Sequence, residues 1–350
     1  MNPIYNYQHL LDNDKLDWLY LSQNEEAIHL LEQNIDKINW QYLSLNKNAI
    51  HILKKYSHKI NWYYLSLNEN AISILENNNI DKINWSALST NKNAIHILEK
   101  NIDKIDYDSL QLNTNPKAIS ILEKYVSSIP YDNVFWRYLG IRSHLIHIIE
   151  KNIDKIDWYY LTMNENAIHL LEQNLDKVEL MILSSNINAI SILEKNLDII
   201  DWYSLSKNPN AIHILEQNID KIRWDALSQN ENAIHILEKN LDKVNWEYLS
   251  KNKNAIHILE KNLDKVDWWY ISKNKNALHI LSQPQYIDKI NWNNLSQNPS
   301  LVELDYIAMS KHRTKIIEQE LITKALHPKR ISKWLDYHMQ QGRDIIEFEY

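Results

Sequence analysis

Apolar residues recur along most of the chain in a pattern that combines two periods. The longer period places an aromatic anchor every 22 residues, as from Trp246 to Trp268. The shorter period is helical. In residues 255–259 (AIHIL) the alanine, both isoleucines and the leucine lie on one side of a helix, and His257 lies on the other. Each repeat therefore predicts two short amphipathic helices, one beginning at the anchor and one in the second half.

Tandem copies of such a repeat predict an all-α fold. We expect an α-solenoid of 22-residue helix-turn-helix repeats, in which each repeat buries its apolar side against its neighbours. This array should be elongated and cover residues 18–300, between an N-terminal cap at 1–17 and a C-terminal helical cap at 301–350. The anchors are Trp18, Trp40, Trp62, Trp85, Tyr107, Tyr131, Trp158, Leu180, Trp202, Trp224, Trp246, Trp268 and Trp292.

The anchor spacing is most irregular at residues 113–146, where Pro130 and Gly140 enter the pattern. This segment is either an insertion that bends the array or a bend shaped for a ligand. A leucine-rich repeat, which also has about 22 residues, is the alternative fold. It would require a buried residue where the chain has Gln229, Lys251 or Thr90, so the sequence favours the helical array.

Polar residues at fixed positions predict where the helices begin and end. Asp or Asn stands before most anchors, as at Asn39, and Asn46 stands three residues before the alanine of the second helix; both positions suit an N-cap. The Asn that closes the second helix, as at Asn218, suits a left-handed C-cap. Ser44 is small enough for neighbouring helices to approach, and the loop pair Asp36-Lys37 predicts an exposed ion pair.

Composition narrows the class of protein. The chain has no cysteine, which excludes disulfides and thiolate chemistry and fits an intracellular compartment. Its net charge is −7, with both signs interspersed, which argues against a dedicated nucleic-acid binder. No apolar run is long enough to span a membrane, and the N-terminus does not resemble a secretory signal.

One column of side chains in the second helices is histidine. Because packed helices lie about 8–10 Å apart, successive members cannot share one metal ion, and we expect a solvated column without a metal. A response to protonation between pH 7.5 and 5.5 is a further hypothesis. The column comprises His29, His51, His96, His147, His169, His213, His235, His257 and His279.

A second column, two residues after the anchor, is rich in tyrosine. Such side chains can stack on bases, anchor a protein interface, or pack between repeats with their hydroxyls at the surface. Together with the histidines they form the candidate interaction surface. The tyrosines are Tyr20, Tyr42, Tyr64, Tyr160, Tyr248 and Tyr270.

No motif of catalysis is found. The chain has two glycines, Gly140 and Gly342, so a phosphate-binding glycine loop is excluded, and neither a nucleophile elbow nor an H-E-x-x-H motif is present. The sequence therefore predicts a protein that is not an enzyme and needs no cofactor.

The repeat pattern resembles short helical repeats of giant DNA viruses of the Mimivirus and Megavirus type; it reads N-x-N-A-I-H-I-L-E-x-N-x-D-K-I-x-W-x-x-L-S. Residues 321–336 are similar to a segment near the end of many proteins of those viruses. The resemblance implies a viral protein acting inside the host cell, in the cytoplasm or in the virion. It implies no catalytic or binding residues.

Three functions remain open. The architecture favours a scaffold that binds a viral or host protein through its long surfaces. The alternatives are a solenoid that binds single-stranded nucleic acid, which needs a basic stripe beside the tyrosines, and a self-assembling structural component. The sequence does not specify the oligomeric state.

Overall fold

The computed structural model describes residues 6–11, 14–77, 80–130 and 134–340. Helices and turns make up these residues, and no β-strand occurs among them, which confirms the predicted all-α repeat fold. By internal packing the chain divides into two compact bodies. One is Asn13–Leu301, and the other combines Met1–Asp12 with Val302–Tyr350.

Each repeat of the larger body contributes an anchor helix, followed in most repeats by a second helix. The anchor helices of the described residues are Trp18–Gln23, Trp40–Leu43, Trp62–Leu67, Trp85–Thr90, Tyr107–Leu110, Val134–Leu139, Trp158–Thr162, Leu180–Leu183, Trp202–Lys207, Trp224–Leu227, Trp246–Lys251, Trp268–Ile271 and Trp292–Ser296. The second helices are Ile28–Gln33, Ile50–Lys55, Ile72–Leu75, Ile95–Glu99, Pro116–Tyr125, Ile146–Lys151, Ile168–Gln173, Ile190–Leu193, Ile212–Gln217, Ile234–Glu238, Ile256–Glu260 and Leu278–Leu281.

Short 3₁₀ helices complete the repeats and join them. They are Glu25–Ala27, Ile35–Lys37, Ser57–Lys59, Ile80–Lys82, Ile102–Lys104, Val126–Ser128, Ser143–Leu145, Ile153–Lys155, Leu175–Lys177, Ile219–Lys221, Pro284–Lys289 and Pro299–Val302. The last of these stands where the final repeat would have its second helix.

The predicted N-caps of the anchor helices are confirmed. Asn39 has an extended backbone, and its side chain accepts the backbone N–H of Tyr42 at 3.2 Å; Asp17 and Asp157 act in the same way on their own helices. Behind each cap, the leucine three residues after the anchor is fully buried, as Leu43 is. A helix of only four to six residues is unstable alone, so capping and burial against neighbours hold it.

In most repeats a buried serine of the anchor helix connects one repeat to the next. Ser44 donates to the carbonyl of Trp40 at 2.8 Å and accepts the backbone N–H of Asn61, the N-cap of the next anchor helix, at 2.9 Å. The same bridge recurs from Ser250 to Asp267. A larger side chain would separate the helices, so this position needs a residue both small and polar.

The asparagine predicted to cap the second helix has another role. Asn46 is buried, and its amide donates to two carbonyls of the preceding repeat, those of Ser22 at 3.1 Å and Asn24 at 3.0 Å. Its carbonyl oxygen accepts the N–H of Asn48 in the turn, while the N-cap position of the following α-helix is Ala49. The N-cap prediction for this residue was therefore wrong, and the residue belongs to a ladder of buried amides between repeats.

Two smaller predictions also need correction. Asn218, the C-cap of its helix, has φ of −131° and is not left-handed; its amide instead donates to the carbonyl of Ile214 at 2.8 Å. The loop lysines lie over tryptophans: Lys265 Nζ is 5.0 Å from the ring centroid of Trp246, the anchor at the start of the same repeat. Such a cation–π contact uses the partly exposed ring face, and no ion pair joins Asp36 to Lys37 in the described residues.

The irregular segment contains an insertion before its anchor. Tyr131, the predicted anchor, lies outside the described residues. The contacts of an anchor belong to Trp136, since Lys155 Nζ lies 4.7 Å from its ring centroid and Trp158 follows 22 residues later. Gly140 then occupies the position of the bridging serine. A Cβ there would lie 3.1 Å from the backbone nitrogen of Leu161, so the close approach of this backbone favours glycine.

The array closes on itself within the larger body, so the expectation of an elongated array was wrong. The first anchor helix contacts the last one as well as the second. Ser296 Oγ accepts the backbone N–H of Asp17 at 2.8 Å, which is the bridge that joins consecutive repeats elsewhere. Lys15 likewise approaches Trp292, at 5.9 Å from the ring centroid.

The smaller body contains the helices Gln8–Leu11, Tyr306–Ala325 and Pro328–Gln340. Leu10 and Leu11 are buried, and the backbone N–H of Asn6 donates to the carbonyl of Glu303 at 3.0 Å. The helix Tyr306–Ala325 has no buried residue. The boundaries predicted for the two caps remain predictions.

Candidate binding surface

The tyrosines two residues after the anchors lie on one surface of the closed array. Each is half-buried, and neighbouring members contact: the ring centroids of Tyr42 and Tyr64 are 5.9 Å apart. Tyr138, two residues after Trp136, also belongs to this column, with its ring 5.6 Å from that of Tyr160. Tyr138 was not among the predicted tyrosines because its anchor, Trp136, lies five residues after Tyr131; the position 22 residues before Trp158 indicates this anchor.

Exposed aromatic side chains flank this column one residue after the anchor. Tyr63 is 51% exposed, Tyr159 is 45% exposed and Trp269 is 53% exposed. Each makes an edge contact with the following tyrosine of the column. We call the column and these flanking side chains the tyrosine surface. It presents large rings to solvent at intervals of whole repeats.

The position five residues after the anchor divides the tyrosine surface into two parts. It is apolar in five repeats of the first half of the array and basic in three later ones, while the remaining repeats have small or uncharged polar residues there. The apolar members are Leu45, Leu67, Leu112, Ile141 and Met163. The basic members are Lys207, Lys251 and Lys273.

The basic part contains a pocket of 680 Å³. Five successive repeats across the closure contribute to its lining, from Glu231 to Tyr20. Side chains from so many repeats can converge only where the array is concave, so the tyrosine surface is the inner face. The pocket brings Tyr20 and Tyr270 together, although they stand near opposite ends of the repeat array. Its lining residues are Tyr20, Glu231, Lys251, Lys253, Trp269, Tyr270, Lys273, Asn274, Lys275, Asn294, Gln297 and Pro299.

The pocket carries more positive than negative charge. Lys253 forms an ion pair with Glu231 at 2.7 Å, whereas no ion pair of the described residues involves Lys251, Lys273 or Lys275. Loss of solvent and a hydrogen bond to the Glu247 carboxylate raise the pKa of Tyr270, so its hydroxyl is a donor at neutral pH.

The histidine column is exposed, as predicted, but its members have partners. Apart from His29, Nε2 of every histidine in the column contacts a glutamate of the preceding repeat, so these pairs join two helices, and His96 pairs with Glu76 and not with Glu99. The pairs are His51–Glu32 at 2.7 Å, His96–Glu76 at 2.5 Å, His147–Glu123 at 3.1 Å, His169–Glu150 at 2.7 Å, His213–Glu194 at 2.6 Å, His235–Glu216 at 2.8 Å, His257–Glu238 at 2.6 Å and His279–Glu260 at 2.5 Å. His29, the first member, contacts Glu32 of its own helix at 3.4 Å.

Among the groups outside the pocket whose pKa is shifted are Glu32 and His144. The hydrogen bond from His51 lowers the pKa of Glu32. In the irregular repeat, burial lowers the pKa of His144, and the charge of Arg142 adds to this, against hydrogen bonds with the backbone of Gln111 and Asn113. Those two residues hold the positions whose carbonyls the ladder asparagines use elsewhere, whereas Arg142 stands at the ladder position of the irregular repeat, and Nε2 of His144 has no hydrogen-bond partner in the described structure.

Within the described residues, no group of three or more potential metal ligands converges, and no helix is long and apolar enough to cross a membrane. No protein-family model matches the chain, and no curated protein or solved structure matches it either. The resemblance to giant-virus repeats thus remains a prediction from the repeat pattern.

Proposed function

We propose that the chain is a non-enzymatic scaffold that binds a protein partner on the apolar part of the tyrosine surface. The observation that carries this proposal is the row of exposed aromatic rings beside half-buried tyrosines on an inner face. Exposed tyrosine and tryptophan are enriched among the residues that dominate protein interfaces, because they bury much area with few rotatable bonds. The repeats supply such rings at fixed spacing, and the variable neighbouring positions suit one particular partner.

The proposal is tested with a variant that combines Tyr63→Ala, Tyr138→Ala and Tyr159→Ala. All three side chains are between 45% and 51% exposed, so the fold should tolerate their loss. The matched control combines His51→Ala, His169→Ala and His257→Ala on the second helices. The resemblance directs the search to viral and host proteins of an infected cell, which are cross-linked to tagged wild type and both variants and identified by mass spectrometry.

We expect a partner that is captured by wild type and the histidine variant and lost by the tyrosine variant. Equal capture by both variants would contradict the proposal. Two further outcomes would replace it. Binding of mixed single-stranded oligonucleotides at physiological salt would indicate a nucleic-acid binder, and concentration-dependent oligomers in light scattering would indicate self-assembly.

A further inference from the structure

The pocket in the basic part of the tyrosine surface has the composition of a ligand site. Its volume of 680 Å³ falls in the range of about 300–1,000 Å³ that small-molecule sites occupy. Its lining combines two chemical features, a group of ammonium groups and a set of aromatic rings. Neither feature is needed for the packing of the repeats, because other repeats have apolar or uncharged residues at the same positions.

The ammonium groups converge because two consecutive repeats share the same substitution. Lys251 and Lys253 hold the fifth and seventh positions after one anchor, and Lys273 and Lys275 hold the same positions after the next. One of the four is neutralised by Glu231. Three ammonium groups without an ion pair in the described structure therefore face one pocket, which raises the local concentration of anions.

The charge of the pocket is confined to a short stretch. Glu231 stands on one side, and Glu25 and Glu26 line the adjoining pocket on the other, together with Tyr20 and Lys273. A long polyanion would meet these carboxylates, whereas a compact anion would not. Compact, multiply charged anions in biology are mostly phosphates, for which lysine is a common ligand as a point charge.

The aromatic ring best placed to contact a ligand is that of Trp269. It is 53% exposed, and its edge contact with Tyr270, with ring centroids 4.6 Å apart, fixes its orientation. The side-chain amide of Asn294 donates to the backbone carbonyl of Trp269 at 2.7 Å, and this bond fixes the position of the backbone that carries the ring. A ring that is oriented and open to solvent suits stacking on a planar group.

We propose that this pocket binds a nucleoside polyphosphate, with its base on Trp269 and its phosphates beside Lys251, Lys273 and Lys275. This site is independent of the proposed protein partner, which uses the other part of the surface. Because Tyr20 and Pro299 also line the pocket, a bound ligand contacts both sides of the closure and should favour the closed array.

The test is calorimetric titration of the full chain with ATP and ADP at low and physiological salt. We expect saturable binding that weakens with salt, a loss of roughly tenfold in affinity for Trp269→Ala, and no measurable binding for the combined Lys251→Gln, Lys273→Gln and Lys275→Gln variant. The control combines Lys195→Gln, Lys239→Gln and Lys261→Gln, which lie near the ends of the second helices. Circular dichroism establishes that each variant is folded.

Adenosine, tripolyphosphate, hexaglutamate and a thymidine oligonucleotide separate the alternatives. Weaker binding of both adenosine and tripolyphosphate than of ATP supports the proposal. Equal binding of tripolyphosphate overturns the stacking of the base, tighter binding of hexaglutamate indicates an acidic protein segment, and tighter binding of the oligonucleotide indicates a strand. Absence of binding by millimolar ATP overturns the site. A second readout is hydrogen exchange at the backbone N–H of Asp17, which ATP should slow if the ligand favours closure.

Discussion

Two interfaces of the array, one regular and one at the closure, are built from the same positions but differ in their contacts. At the regular interface before Trp268, Ser250 bridges to Asp267 at 3.0 Å, the amide of Asn274 donates to two carbonyls at 3.1 and 3.2 Å, and Lys265 lies 5.0 Å from its tryptophan ring. At the closure, the serine bridge of 2.8 Å remains. The amide of Asn24 has one acceptor in the last repeat, at 3.5 Å, and Lys15 lies 5.9 Å from its ring.

The difference shows which contact determines the geometry between repeats. The serine bridge joins two backbones directly and is kept where the other contacts weaken. The ladder asparagine and the lysine make their contacts through longer side chains, so the lengths of these contacts change when the spacing of the helices changes. We infer that the closure opens more readily than the regular interface, because it has fewer short hydrogen bonds.

The largest expected effect is loss of a ladder asparagine. Asn252→Ala leaves two buried carbonyls without their donor and should lower the free energy of unfolding by about 3 kcal/mol. Asn24→Ala removes one long contact and the cap on Glu26, and should cost about 1 kcal/mol. Urea denaturation measures both, with the exposed Asn293→Ala as control. Equal losses at the two interfaces would contradict the comparison.

Removal of the serine bridge should lower the free energy of unfolding by a similar amount at both interfaces, but it should open only the closure. Ser250→Ala and Ser296→Ala each leave one backbone N–H without its acceptor, at a cost of about 1–2 kcal/mol. Because the other hydrogen bond at the closure is long, Ser296→Ala should also accelerate hydrogen exchange in the first and last repeats. Ser250→Ala should not open its interface, which keeps the two hydrogen bonds of Asn274. The exposed Ser191→Ala serves as control. Unchanged exchange at the closure would show that other contacts hold it.

Loss of a cation–π contact should also destabilise the array more at the regular interface than at the closure, but by less than loss of an asparagine or a serine. Lys265→Gln should destabilise the array by about 0.5–1 kcal/mol and Lys15→Gln by less, since its ammonium lies farther from the ring. Thermal unfolding of both variants measures the difference, and the exposed Lys239→Gln gives the baseline. A larger effect for Lys15 would mean that this contact contributes to closure.

The smallest expected effect concerns pH. The hydrogen bond from His51 holds the pKa of Glu32 below its ordinary value of 4.5. Its carboxylate therefore stabilises the fold above pH 4.5, and this contribution disappears as the pH falls through the lowered pKa. Because both side chains are about half-exposed, Glu32→Gln should cost a few tenths of a kcal/mol at pH 6. The two proteins should become equally stable once the pH lies below the lowered pKa; a difference that persists in strong acid would assign the effect to another group.

The sequence predicted the helices and their first caps because these depend on local patterns. The spacing from Trp246 to Trp268 and the polar residue before each anchor contain that information. The roles of Asn46 and Lys265 depend on contacts with residues about 20 positions away in the sequence. Because a polar side chain at the start of a short helix also suits an N-cap, the local pattern around Asn46 indicated the wrong role. The same asparagine and lysine recur in nearly every repeat while neighbouring positions vary, and this recurrence could have indicated a structural role.

Closure could not be predicted from one repeat. It depends on the sum of small rotations at every interface, and an error of a few degrees at each would leave the ends apart. The pocket that joins Tyr20 to Trp269 was therefore also beyond the sequence analysis. Trp136 was missed for a simpler reason, since an insertion displaced the anchor from the position that spacing indicated.

The bridge between Ser296 and Asp17 constrains how this gene can change. In an open solenoid, duplication or deletion of one repeat merely lengthens or shortens the protein. Here it would leave either a gap or an overlap between the ends, and every remaining interface would have to adjust its rotation to restore the fit. Copy number is thus part of the fold, and recombination between the nearly identical repeats should be selected against.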